Sequence, residues 1–137
     1  MKLRLVFVLL IALIFSSLSY AQNKNEVYGE KSEYAFDELE EKPEFPDGNN
    51  GLVKYLSENV KYPKKALEKG ICGKVLVQFV IDDKGKVTKV EVLKGVEKTL
   101  DKEAVRVIKS MPKWIPGKKN GKPVKVRYTI PLTFKMD

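Results

Sequence analysis

Apolar residues in this chain fall into blocks whose spacing changes from one block to the next. From Val124 to Lys135 they alternate without a break. Val124, Val126, Tyr128, Ile130, Leu132 and Phe134 take one set of positions, and Lys125, Arg127, Thr129, Pro131, Thr133 and Lys135 take the other. A period of two places the first set on one face of a long strand. Pro131 has no amide proton for a ladder, which predicts a strand at a sheet edge. Upstream, Lys74 to Asp82 is apolar in both alternate sets: Val75, Val77, Phe79 and Ile81 on one side, Leu76 and Val80 on the other. That pattern predicts an inner strand. Asp83-Lys84-Gly85-Lys86 reads as a hairpin turn, with Gly85 supplying a positive φ, and Val87 to Leu93 as the returning strand. Leu100, Ala104, Val107, Ile108 and Met111 then follow helical spacing. They predict a helix over Leu100 to Ser110, capped by Thr99 and stopped by Pro112.

Two shorter helices precede the strands. Phe45-Pro46-Asp47-Gly48 is a turn signal, after which Asn49 or Asn50 can cap a helix over Gly51 to Val60. Pro63 suits the first turn of a second helix, Pro63 to Lys69, which Gly70 ends. Pro116 to Pro123 reads as a tight polar loop. The order is helix, helix, strand, strand, helix, strand. This predicts an α+β fold, a three-stranded antiparallel sheet with helices packed on one face.

The N-terminus has a different character. Lys2 and Arg4 precede an apolar run from Leu5 to Phe15, and small polar residues lead to Ser19-Tyr20-Ala21. Basic, apolar, then small is the order of an export signal, with cleavage expected between Ala21 and Gln22. The alternative is an uncleaved anchor. A spanning helix needs about 20 apolar residues, and this run nears that length only by including Ser16, Ser17, Ser19 and Tyr20. On either reading the remainder lies outside the cytoplasm. Three parts are therefore expected: a signal peptide over residues 1–21, an acidic flexible linker over 22–44 and a folded domain over 45–137. Within the linker, Tyr34, Phe36 and Leu39 allow a transient helical turn at most.

Charge divides along the same boundary. Residues 22–44 carry three Lys and eight Asp or Glu, whereas residues 45–137 carry 21 Lys or Arg against 10 Asp or Glu. A basic domain suits acidic or anionic partners such as a cell-wall polymer, lipid headgroups or an acidic protein segment. Nucleic acid fits poorly, because the lysines are scattered without stacking aromatics and the chain is exported. The sequence has no His and a single Cys, Cys72. That removes the commonest general base and metal ligand, the thiol–imidazole pair and any internal disulfide. Cys72 is read as a small half-buried residue at the start of a strand. Asp82-Asp83 is read as a turn pair rather than a catalytic one. Trp114 is expected over the core, and Tyr62 with Pro63 as a staple between the leading helices. No enzymatic activity, cofactor or metal is expected.

Several of these motifs, taken in order, resemble the C-terminal domains of the TonB family. Tyr62-Pro63 before a short helix, then Gly70-Ile71-Cys72-Gly73-Lys74-Val75-Leu76-Val77-Gln78-Phe79-Val80-Ile81, is similar to their opening. Asp83-Lys84-Gly85-Lys86-Val87 is similar to their hairpin. Leu100-Asp101-Lys102-Glu103-Ala104 and Met111-Pro112-Lys113-Trp114-Ile115-Pro116-Gly117 resemble their later helix and loop. Asn120-Gly121-Lys122-Pro123-Val124 and Tyr128-Thr129-Ile130-Pro131-Leu132-Thr133-Phe134 resemble the closing strand of Bacteroidetes-type members, and Phe45-Pro46-Asp47-Gly48 the start of those members' domains.

The resemblance implies a periplasmic domain that binds a short segment, the TonB box, of outer-membrane TonB-dependent transporters. It also implies energy received from an inner-membrane proton-driven motor complex. The box is implied to add as a strand to the closing edge strand, which makes Val124, Lys125, Val126, Arg127, Tyr128, Thr129 and Ile130 the candidate partner-binding residues. Because the two backbone groups of a strand residue point to one side and sides alternate, Lys125, Arg127, Thr129, Pro131 and Thr133 are expected to share the free flank. Pairing is expected mainly at Lys125, Arg127 and Thr129. The rival reading is a soluble envelope protein that binds peptidoglycan and reuses the fold without transmitting force. A 23-residue linker, at most about 80 Å when extended, leaves little slack for a motor arm.

Overall fold

Strand β2, Gly73–Ile81, is the centre around which the other elements assemble. The computed structural model describes residues 32–136. The expected export signal, its cleavage point and the first part of the linker lie outside the described residues. Val75, Val77, Phe79 and Ile81 on one face of β2 are fully buried. β3, Val87–Lys94, returns antiparallel to β2. The turn between them is fixed by Asp82, whose Oδ1 accepts the Lys84 amide at 2.9 Å and the Lys86 amide at 2.8 Å. Burial opposes the ionised form of Asp82, but those two amides outweigh it and hold its pKa below the ordinary value. The carboxylate is thus engaged locally.

The last strand, β6 (Val126–Phe134), pairs with the other side of β2 in an unbroken antiparallel register from Ile81↔Val126 to Gly73↔Phe134. Val126, Ile130, Leu132 and Phe134 are buried on the core face. Onto that face packs α3, Lys98–Lys109, with Leu100, Ala104, Val107 and Ile108 fully buried. The helix begins two residues before the expected start, and its cap is Glu97 rather than Thr99. Glu97 is extended, so its carboxylate reaches forward to accept the Thr99 amide at 3.0 Å.

α1, Gly48–Asn59, also starts earlier than expected. Asp47 precedes it in the left-handed conformation (φ 64°) with no side-chain cap, so Asn49 and Asn50 are inside the helix. Tyr55 on α1 donates its hydroxyl to the Val107 carbonyl at 2.9 Å. Arg106 of α3 reaches the Asn59 carbonyl at 2.9 Å while held by Glu103. α2, Lys64–Lys69, follows Pro63 and ends at Gly70 in the left-handed conformation. Tyr62 meets Phe134 edge-on at 5.5 Å and donates its hydroxyl to the Ile71 carbonyl, which ties the helix junction to the end of the sheet where β2 begins and β6 finishes.

Three features depart from the sequence reading. A short added strand, β1 (Tyr34–Ala35), lies parallel to β6 and makes the main sheet four-stranded, in the order β1-β6-β2-β3. Residues 116–123 are more than a loop: β4 (Lys118–Lys119) and β5 (Lys122–Pro123) pair antiparallel. Asn120 and Gly121 take positive φ at the turn, as a two-residue hairpin requires. Finally, Cys72 is exposed, not half-buried. It falls in the alternate set opposite Val75 and Val77, so its side chain leaves the core face.

Candidate functional site

The candidate site is the flank of β6 turned away from β2. Strand alternation decides which residues form it. Tyr128 and Ile130 lie opposite Phe79 and Val77 of β2. Pro131, which can donate nothing, lies opposite Leu76. Its set, Lys125, Arg127, Thr129, Pro131 and Thr133, therefore turns its backbone outward. The Tyr34 amide donates to the Lys125 carbonyl at 2.9 Å, an independent sign of that orientation. Val124 lies outside the pairing flank, because its amide donates to the Gly117 carbonyl at 2.9 Å at the foot of the β4–β5 hairpin.

The outward flank divides in two. Tyr34↔Val126 and Ala35↔Arg127 pair in parallel register, so the chain's own backbone covers Lys125 to Arg127. Among the described residues no other strand joins β6 on this side, and Thr129 to Thr133 carry no strand partner there. An edge expected to be wholly open is thus partly taken. The reason lies in the segment that was read as a flexible linker. Glu33 onward belongs to the same compact unit as the sheet. Phe36–Glu38 form a single 3-10 turn. Phe36 stacks on Tyr128 with ring centroids 3.9 Å apart and 19° between planes. Leu39 is only 2% exposed and Phe45 5%. Backbone bridges at Glu41↔Lys118 and Glu44↔Ile115 carry the strap to α1.

Beneath the strap lies an aromatic cluster. Trp114, 5% exposed, meets Phe45 edge-on at 5.3 Å, Tyr128 edge-on at 6.1 Å and Phe79 at 6.0 Å. Phe79 meets Tyr128 at 6.0 Å. Burial, assisted by the negative charge of Asp37, pushes the Tyr128 phenol up, so it stays protonated. The ring that supports Phe36 is therefore anchored through Phe79 to the centre of β2. A cleft of about 380 Å³ opens between the strap, Trp114 and Tyr128. Among the described residues the buried Trp114 indole N–H has no hydrogen-bond partner.

On the opposite face of the sheet, Glu33 spans two strands. Its Oε2 lies 2.6 Å from Lys89 Nζ of β3, and its Oε1 lies 3.7 Å from an Arg127 guanidinium nitrogen of β6. The Lys89 hydrogen bond, then the charges of Lys89, Arg127 and Lys125, hold the Glu33 carboxyl below its ordinary pKa against a desolvation penalty. Between those strands Val80 of β2, 3% exposed, shares a depression with Glu33, Lys89 and Arg127. Sequence reading missed Glu33, Phe36, Leu39 and Lys89. A faint signal existed in Tyr34, Phe36 and Leu39, which bring large apolar side chains into an otherwise acidic stretch.

Comparisons with known proteins bear on the fold that carries this flank. The family described as Gram-negative bacterial TonB protein C-terminal matches residues 58–136. No match was found among curated proteins. A solution NMR structure of the Helicobacter pylori TonB C-terminal domain, residues 179–285, is 31% identical, with a TM-score of 0.51 over 63% of this chain and 78% of that one. A shorter form of the same domain, residues 194–285, is 31% identical over 61% and 88%, with a TM-score of 0.48. The Pseudomonas aeruginosa TonB C-terminal domain is 28% identical over 56% and 78%, with a TM-score of 0.42. With more than half of its length matched by that family, from the end of α1 through β6, this chain belongs to the TonB C-terminal domain family.

Proposed function

We propose that this protein is a periplasmic, non-enzymatic binding module that takes an extended segment of an outer-membrane TonB-dependent transporter as an added strand on β6, in support of energy-dependent transport. The observation that carries the reading is β1: a two-residue stretch of backbone already pairs with this flank. Family membership supplies the class of partner, and an inner-membrane proton-driven motor complex is the corresponding energy source. Strand addition draws its affinity from backbone hydrogen bonds and its selectivity from side chains on either side. Here Lys125 and Arg127 favour a guest with acidic residues. Pairing is expected to weaken at Pro131, where no amide is available.

Thr129→Pro removes one outward donor and should weaken binding of a synthetic transporter N-terminal segment by about tenfold, read by calorimetry, if that bond contributes about 1 to 1.5 kcal/mol. Because proline can disturb the strand, the same donors are probed from the guest side. N-methylation of alternate peptide amides should weaken binding in one phase of the alternation and leave it unchanged in the other. Equal binding of both methylated series, together with full-strength binding by Thr129→Pro, would place the guest elsewhere.

One observation favours a second reading, an envelope protein that binds peptidoglycan. Lys118, Lys119 and Lys122 are all exposed on the β4–β5 hairpin, with Lys113 exposed nearby in sequence. On that reading the protein co-sediments with isolated peptidoglycan at low salt and is released at high salt, where exposed charges are screened. Substituting the three hairpin lysines with Gln should abolish co-sedimentation while leaving peptide binding on β6 intact.

A further inference from the structure

The flank of β6 proposed above as the partner's seat is the same flank on which the Glu33–Phe36 segment rests. We propose that this segment is a built-in competitor for the edge, held by Glu33 across Lys89 and Arg127 and by Phe36 on Tyr128, and that a partner strand binds the full edge only by displacing it. The proposal rests on the strand-addition reading.

Three observations support it. First, the segment uses the outward backbone of Lys125 to Arg127, so a guest running along the whole flank meets it directly. Second, the attachments described above are individually weak ones: two ladder residues, the ion pairs of Glu33 with Lys89 and Arg127, and one stacked ring. Isolated pairings this short are marginal, and such ion pairs contribute little. Third, release has a natural limit. Leu39 is buried, and the bridges at Glu41 and Glu44 follow it, so residues 33–38 can peel back while the rest of the strap stays seated. Because the competitor is tethered, its effective concentration at the edge is high, and the apparent affinity for a guest is the intrinsic affinity multiplied by the fraction of molecules that are open.

The segment also reports the chemistry that the edge accepts. A guest that replaces it best brings a carboxylate to Arg127 and Lys89, and an aromatic or large apolar side chain three residues later for Tyr128. Ionisation adds a pH dependence. The charges facing Glu33 are Lys89 from β3 and Arg127 and Lys125 from the β6 side, with Glu91 of β3 in the same depression. Since the Glu33 carboxyl is held below its ordinary pKa when seated, the latch is present at neutral pH. It is lost as pH falls through that lowered value.

The test uses the chain from Gln22 onward and a labelled synthetic peptide copying residues 31–38. In the unsubstituted protein the edge is filled from within and the peptide binds weakly. Glu33→Gln combined with Phe36→Ala empties it, and the peptide should bind roughly tenfold tighter. In the same variant the Arg127 amide should lose at least tenfold of its hydrogen-exchange protection. Should the pair of substitutions lower the melting temperature, Glu33→Gln alone is read, with a roughly threefold change in the same direction expected. Equal peptide affinity in both proteins, no binding to either, or unchanged Arg127 protection would each overturn the competitor. A transporter segment assayed in parallel keeps the two ideas apart. If it binds both proteins equally, β6 still takes a strand but nothing competes for it. If it binds neither while the copied peptide binds the variant, the self-contact stands and the transporter reading fails.

Discussion

Phe79→Ala should cost about 4 kcal/mol of folding free energy, the middle of the range for emptying a buried aromatic site. The chemical-denaturation midpoint should move accordingly, with a melting temperature lower by roughly 15 °C or more for a domain of this size. Phe79 is fully buried on the central strand and meets Trp114 and Tyr128, both at 6.0 Å. Its neighbours come from β2, β6 and the segment after α3. No single backbone shift can refill the space that its ring leaves. A loss of this size is a large share of the roughly 5 to 15 kcal/mol that such domains possess. The functional consequence follows from Tyr128. Without Phe79 behind it, the Tyr128 ring loses its support, and Phe36, stacked on its other side, loses its seat. The Arg127 amide, covered by the strap that Phe36 helps to seat, should therefore lose hydrogen-exchange protection even at temperatures where the variant remains folded. A loss below 1 kcal/mol, or a destabilised variant with unchanged Arg127 protection, would show that the aromatic cluster is not what holds the strap on the edge.

How legible this was in the sequence depends on which forces dominate each element. The strands and α3 were readable because their apolar positions face one continuous core. Leu100, Ala104, Val107 and Ile108 are spaced for a helix and are all fully buried. Val126 to Phe134 alternate as a strand must when one face is covered. Helix starts were less readable. α1 begins through a left-handed Asp47 and α3 through a carboxylate reaching forward from Glu97, and in both cases a plausible Asn or Thr cap stood a few residues downstream.

The strap was illegible for a different reason. Leu39, Pro43 and Phe45 bury deeply but at uneven spacing, and the two-residue β1 offers no periodicity. Its register comes from Lys125, Arg127 and Lys89, which lie more than fifty residues further along the chain. Local composition therefore reads as acidic linker, and tertiary contacts decide otherwise. The outward flank of β6 shows the same division. Pro131 marks the strand as one whose backbone cannot be fully paired on both sides, which the sequence alone reveals. The occupant of that flank is a long-range fact that the sequence does not.

The β2–β3 turn supplies the other large effect, Gly85→Ala, and a control that isolates its cause. Gly85 has φ +86°, and a Cβ built there would lie 1.9 Å from the Trp114 carbonyl oxygen and 2.9 Å from its carbon. Those are backbone atoms, so no side-chain rotation can give way. The Trp114 amide also donates to the Gly85 carbonyl at 2.8 Å, and a shift that relieves the clash would break that bond. Left-handed backbone alone costs alanine about 1 to 2 kcal/mol; adding the collision and the lost hydrogen bond brings the expected penalty to about 4 kcal/mol. Gly121→Ala separates the two contributions. Gly121 has φ +77°, yet nothing lies within 4 Å of its added Cβ, so only the conformational part should appear. Denaturation of both variants should therefore differ by about 2 to 3 kcal/mol. Because Gly85 clamps the segment that carries Trp114, the larger loss should also loosen the aromatic cluster, seen as a red shift of Trp114 fluorescence in Gly85→Ala but not in Gly121→Ala. Equal penalties at the two glycines would mean that the turn does not press on Trp114, and that the hairpin and the strap-bearing cluster are held independently.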